Sequence, residues 1–293
     1  MPGGTARFVA YSQTPRNAEN TQRRLAPGSR SVRFDLLLAV ATKREQKAFF
    51  KALFKNLPAN TVPMITLFQH AFCPHSRFIR LALGEYGLES ELVEERIWER
   101  DEAFLAMNPA GTTPVMMIEG EPPIPGAAII AEYLDETQGA RLGERRLMPF
   151  HSSGRIEVRR LMSWFNDKFY DEVSGPLVTE RVYKRFMTAE QGGGAPSTEV
   201  MRAARSNLRY HLAYIGWLAR TRNFLAGDHP TYADLAAAAH LSAIDYLGDV
   251  PWSEDDAAKA WYVRIKSRPS FRPLLNEWLA GLPAPAHYID LDF

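Results

Sequence analysis

The chain predicts an α/β half followed by an all-α half, and three observations predict it. Between Ile65 and Thr137, short strand-like runs alternate with helical ones in the order βαβ and then αββα. Beyond about residue 150 the alternation stops and long 3.6-residue periods take over. The first 63 residues match neither pattern: they are basic, and residues 1–31, rich in Arg, Ser, Thr, Gln, Gly and Pro without periodicity, are expected to be disordered.

The α/β half opens with Ile65-Thr66-Leu67-Phe68 as a strand. The helix Arg77 to Tyr86 follows, with Gly87 as its closing residue. Between them lies Cys73-Pro74-His75-Ser76. A thiol at a helix N-terminus meets unpaired backbone N–H groups and the positive end of the dipole, and both favour the nucleophilic thiolate. Pro74 suits the first turn, where its missing N–H costs nothing. Glu91 to Arg96 reads as an amphipathic strand, Asp101 to Met107 as a short helix and Asn108-Pro109-Ala110-Gly111 as a turn. Val115 to Ile118 reads as a buried strand, Pro123-Ile124 as a short one, and Ala127 to Thr137 as a helix.

The helical half begins with Arg155 to Tyr170, whose apolar stripe carries Leu161, Met162, Trp164, Phe165 and Phe169. Gln191-Gly192-Gly193-Gly194-Ala195-Pro196 is a breaker, after which Ser197 caps a helix running to about Thr221. Tyr210, Tyr214 and Trp217 recur near helical spacing, which favours core packing over a ligand box. Thr231-Tyr232-Ala233-Asp234 has the form of a capping box, so Thr231 and Asp234 are read as structural. The expected organisation is an extension over 1–63, an α/β domain over 64–139, a linker over 140–150, a helical domain over 151–282 and an extended tail over 283–293.

Composition narrows the function. Hydrophobic residues make up 46% and charged residues 24%, a globular balance. The single cysteine cannot close an internal disulfide, which points to a reducing compartment. Residues 1–63 carry 11 Lys and Arg against three acids, a net +8, so 64–293 carries −7 within the chain's total of +1. An acidic body argues against nucleic acid as its partner. The longest apolar run, Leu36 to Ala41, is too short to span a bilayer. Residues 35–57 have the pattern of a basic amphipathic helix. Three readings of the leader stand open: a membrane-surface or partner helix, a transit peptide, and a non-native extension with the functional start at Met64.

The helix-start Cys73 with Ser76, and Asn108 to Val115 with its Thr113-Pro114, resemble the thioredoxin-like domain of the glutathione S-transferase superfamily. The resemblance implies a transferase fold, a cis bond before Pro114, and Thr113 in the position that offers its backbone to the cysteinyl part of glutathione. It also places Gly126-Ala127 where glutathione-binding members carry an acid and a serine for the γ-glutamyl group. Neither residue has a polar side chain, so glutathione binding is expected to be weak or absent.

A narrower resemblance rests on Cys73 to Arg80, Pro125-Gly126-Ala127, Tyr246 to Trp252 and Ala286 to Phe293. It is to bacterial cell-division members of that superfamily. It implies a cytoplasmic homodimer at the division site that binds FtsZ filaments, curves or bundles them and promotes constriction without needing glutathione or any other cofactor. The alternative is a glutathione or thiol transferase using Cys73, with Ser76 as a hydroxyl donor. Candidate partner contacts are Trp98, taken as exposed within a charged stretch, and the tail residues Tyr288, Asp290, Leu291, Asp292 and Phe293.

Overall fold

The structure is a computed structural model that describes residues 64–291. The readings made for residues 1–63, Asp292 and Phe293 lie outside the described residues. Strands β1 (Ile65–Gln69), β2 (Ser90–Glu94), β3 (Val115–Ile118) and β4 (Ile124–Pro125) form one mixed sheet in the order β2-β1-β3-β4. β1 pairs parallel to β2, with Ile65 opposite Ser90, and antiparallel to β3, with Phe68 opposite Val115. All four β3 residues are buried, as their unbroken apolar run predicts.

Helix α1 (Pro74–Tyr86) starts immediately after Cys73 and ends at Gly87, whose φ of 65° is the left-handed closing conformation its sequence predicts. Its stripe of Phe78, Ile79, Leu81 and Ala82 is sealed inside the molecule. α2 (Glu102–Met107) is capped by Asp101, whose carboxylate accepts from the Phe104 N–H at 2.9 Å. α3 (Ala127–Gln138) buries Ile130, Ala131 and Leu134.

The helical half contains α4 (Ser152–Ser163), a π-helical stretch (Trp164–Ser174), α5 (Gly175–Arg181), α6 (Thr198–Thr221), α7 (Tyr232–Tyr246), α8 (Asp256–Lys266), α9 (Arg272–Leu275) and α10 (Ala286–Ile289). Every residue of α7 is buried, because it is mostly apolar on all sides, packs on α1, α4 and α8, and pairs its few polar side chains internally. The Thr231–Asp234 capping box is present. Thr231 Oγ1 accepts from the Ala233 N–H, and the Asp234 carboxylate accepts from the Thr231 N–H at 2.9 Å. Asp234 also accepts from the Leu225 N–H at 2.8 Å and the Trp261 indole at 2.9 Å, so one buried carboxylate joins three segments.

The two halves share one continuous apolar core. Their contact is reinforced by Arg268 paired with Glu85 and Arg80 paired with Glu277, both at 2.6 Å, and by Tyr86 hydrogen-bonded to Tyr232 at 2.8 Å.

Three expectations are corrected. The helix expected over 155–170 starts at Ser152 and passes into π geometry from Trp164. Tyr210 and Trp217 are not core, being 63% and 52% exposed. The buried stripe of α6 is instead Leu208, His211, Leu212, Ile215 and Leu218, and the aromatics form an outer row with Trp164, whose ring lies 4.7 Å from Tyr214. Tyr288, expected to be exposed on the tail, is fully buried. Its hydroxyl accepts from Arg77 at 3.0 Å and donates to the Leu274 carbonyl at 2.9 Å.

Candidate functional site

Cys73 is the N-cap residue of α1, held in extended geometry with φ −68° and ψ 118°. Its N–H donates to the His70 carbonyl at 2.9 Å and its carbonyl accepts from the Arg77 N–H at 3.0 Å. The thiol is 5% exposed and lies against the Thr113 carbonyl at 3.8 Å. The Thr113–Pro114 bond is cis, as the resemblance implies. Burial opposes ionisation of Cys73. Hydrogen bonding and charge from His75, with hydrogen bonds from Ser76 and Thr113, outweigh it and bring the thiol down to about 7.

The rest of the surroundings comes from the helical half. His75 Nε2 donates to the Asn166 carbonyl at 2.8 Å, which leaves Nδ1 for the thiol side. Burial lowers the His75 pKa, but its hydrogen bond and attraction to Cys73 and the Asn166 contact raise it overall. His240 Nε2 donates to Asn166 Oδ1 at 3.2 Å, and Ser174 Oγ donates to His240 Nδ1 at 2.8 Å. Burial, with repulsion from His75, holds His240 neutral. The result is a buried polar chain from Cys73 through His75 and Asn166 to His240 and Ser174.

Aromatic side chains close the space above it. The Tyr170 ring lies 4.5 Å from His75. Burial and the charge of Cys73 push the Tyr170 hydroxyl up to about 12 and also raise the Tyr183 hydroxyl above its ordinary value. Trp98 is half-buried rather than exposed, 5.1 Å from Tyr183 and 5.6 Å from His70. Its indole N–H has no acceptor among the described residues.

The positions that would grip glutathione do not fit it. Gly126 is the N-cap of α3 with no side-chain hydrogen bond, and at φ 87° it adopts a conformation that other residues reach only with strain. Ala127 is buried and apolar. Thr113 is 6% exposed, with its carbonyl already against the thiol. The site therefore offers a perturbed thiol without a side-chain grip for a γ-glutamyl group. No group of three or more potential metal ligands exists among the described residues.

Of the sequence-predicted residues, Cys73, Ser76, Thr113 and Pro114 meet here, and Gly126 joins them because its N–H donates to the Pro114 carbonyl at 2.9 Å. The tail lies elsewhere. Asp290 is exposed and Leu291 is 39% exposed, beside Ile289 at 66%. The sequence reading missed Asn166, Tyr170, Tyr183 and His240. Only His240 left a signal, as a histidine set among the alanines and leucines of α7.

Comparison with known proteins agrees with this architecture. The glutathione S-transferase N-terminal domain model matches residues 72–137, and the corresponding C-terminal domain model matches 165–269. FtsZ-localized protein A of Caulobacter vibrioides is 43% identical over 231 residues, covering 78% of this chain and 98% of that protein. The crystal structure of a glutathione S-transferase from Sinorhizobium meliloti superposes with a TM-score of 0.77 at 51% identity, covering 78% of this chain and all of that one. The structure of FzlA from C. crescentus superposes with a TM-score of 0.71 at 43% identity and the same coverage. With both domain models matched and the fold reproduced, the chain belongs to the glutathione S-transferase superfamily.

Proposed function

We propose that this protein is a transferase-like cell-division factor that binds FtsZ filaments, promotes their curvature or bundling and supports constriction without needing glutathione. It acts as a cytoplasmic homodimer at the division site. The observation that carries the reading is its 43% identity to FtsZ-localized protein A across nearly the whole of that protein. The featureless pair Gly126-Ala127 supports it, because a division role makes no demand on the γ-glutamyl grip. The tail is the proposed contact. Tyr288 anchors it, leaving Ile289, Asp290 and Leu291 outside, with Asp292 and Phe293 beyond. Trp98 contributes its outer edge. The test is co-sedimentation with polymerised FtsZ beside calorimetric titration with glutathione. The expected result is FtsZ-dependent pelleting and no glutathione heat, and a protein left in the supernatant overturns the reading.

One observation favours a second reading, a glutathione or thiol transferase. The Cys73 thiol is held near neutrality beside His75, which activates a nucleophile. Conjugation of glutathione to 1-chloro-2,4-dinitrobenzene, lost in Cys73→Ala, would establish it. A rate equal to that without protein would dismiss it.

A further inference from the structure

A cleft of about 350 Å³ opens in the helical half, with no Cys73-site residue in its lining. It is lined by the end of α5 (Glu180, Arg181), by Arg185 in the next turn, by Gly194 and Pro196, by Met201 and Arg205 near the start of α6, and by Leu282. Three arginines thus line one concave surface, two of them four positions apart and the third brought in by α6.

Their charge is not balanced locally. Arg181 donates to Asp249 Oδ2 at 2.7 Å and to the Leu247 carbonyl at 2.6 Å. Arg205 donates to Oδ1 of the same carboxylate at 2.8 Å. Glu180 accepts from Lys184 and from the Ser197 N–H, both at 2.7 Å. Among the described residues, Arg185 donates only to the Gly281 carbonyl, at 3.2 Å. Four cations (Arg181, Lys184, Arg185 and Arg205) therefore face two carboxylates (Glu180 and Asp249), a local excess of +2 on a body that carries −7. A cationic concavity on an acidic surface focuses the field on anions. Guanidinium forks match carboxylates in geometry as well as charge.

Gly194, on one wall, ends the glycine run that the sequence singles out. Gly192 and Gly194 lie at φ 90° and 133°. A Cβ on Gly193 would stand 2.1 Å from the Met187 carbonyl oxygen, so the chain folds this tightly only with glycine there. The Gly193 N–H donates to the Thr188 carbonyl at 2.8 Å and closes the loop. Met201, Pro196 and Leu282 add apolar surface beside the arginines.

We propose that this cleft is a binding site for paired carboxylates carried on an aliphatic frame, with Arg185 and Arg205 as the contacting cations and Met201 and Leu282 as the apolar seat. Acidic side chains of a protein segment and a free dicarboxylate share this chemistry. The site is independent of the FtsZ reading and of Cys73.

The test uses the full chain and two probes. A fluorescein-labelled peptide of alternating Leu and Asp is followed by anisotropy, and succinate is followed by the methyl resonance of Met201. Peptide binding that weakens at least about tenfold in both Arg185→Gln and Arg205→Gln, and also with added salt, supports the site and identifies a protein segment as its source. Succinate shifts at Met201 without peptide binding support it with a small dicarboxylate as the source. If neither probe binds the wild-type protein at millimolar concentration, or if both variants bind as tightly as wild type, the proposal fails. Arg185 is exposed and gives up a single bond to a carbonyl, so its variant retains the fold. Circular dichroism checks this, and the Met201 readout needs no variant.

Discussion

At the scale of the residue, Cys73 sets two opposing effects against each other. A thiol this deeply buried belongs above its ordinary pKa, yet His75 brings it down to about 7. Iodoacetamide labelling should therefore titrate near pH 7, slowly because of the burial. His75→Ala leaves only Ser76 and Thr113 to oppose burial and should move the midpoint up towards 9, the ordinary value for the group. The shift also bears on stability. A folded pKa of about 7 against 9.0 unfolded means the unfolded chain holds the extra proton between those values. The contribution is thus fully present above pH 9 and is lost as pH falls through 7. Its size is about 2–3 kcal/mol, at 1.36 kcal/mol per pKa unit. Urea unfolding of wild type and Cys73→Ala should show the gap between them widening from pH 7 to pH 9. A constant gap would refute the assignment.

At the scale of the element, two small side-chain groups hold long segments in place. Helix caps are ordinarily worth about 1 kcal/mol. Asp234 should exceed that, because Asp234→Ala strands buried donors from Leu225, Thr231 and Trp261 together. A loss of about 3 kcal/mol or more is expected from the chemical-denaturation midpoint. Tyr288→Phe keeps the buried ring but removes the hydroxyl shared by Arg77 and the Leu274 carbonyl. It should cost about 1–3 kcal/mol, and hydrogen exchange should rise first in 286–291. Unchanged exchange there would mean that the ring alone anchors the tail.

The same scale shows what the sequence makes legible. Gly87, Ser197 and the Thr231–Asp234 box are decided by neighbours within four residues, and each stands where its pattern places it. Tyr210 and Trp217 share a face by periodicity, but periodicity does not say which face turns inward, and the aliphatic stripe through Leu212 and Ile215 won the core. The burial of Tyr288 depends on Arg77, 211 positions away, and the polar chain behind Cys73 depends on Asn166 and His240. Contacts of that range leave no local trace. The π-helical stretch is invisible for the same reason, since its residues would equally form an α-helix alone.

For the whole molecule, the expected assembly is a homodimer. Light scattering should give twice the 33.1 kDa chain mass at micromolar concentration, and a monomer would remove that part of the reading. The matched domains, and the core formed by the described residues, lie beyond residue 63. A chain starting at Met64 should therefore unfold at the same temperature as the full chain, within about 2 °C, and pellet equally with FtsZ. Weaker pelleting would assign the basic leader a part in binding.

The π-helical stretch Trp164–Ser174 carries a constraint on length. A wider turn advances the chain by about one residue more than an α-turn does. Asn166, Ser174 and everything after them are phased by that extra step. Deleting a single residue just before Asn166, with the later winding unchanged, would rotate Asn166 and all that follows by about 100° relative to α4. Asn166 would leave His75, and Arg181 would leave Asp249. Relatives that keep both the polar chain and the arginine cleft should therefore tolerate substitutions in this stretch far better than a one-residue gap.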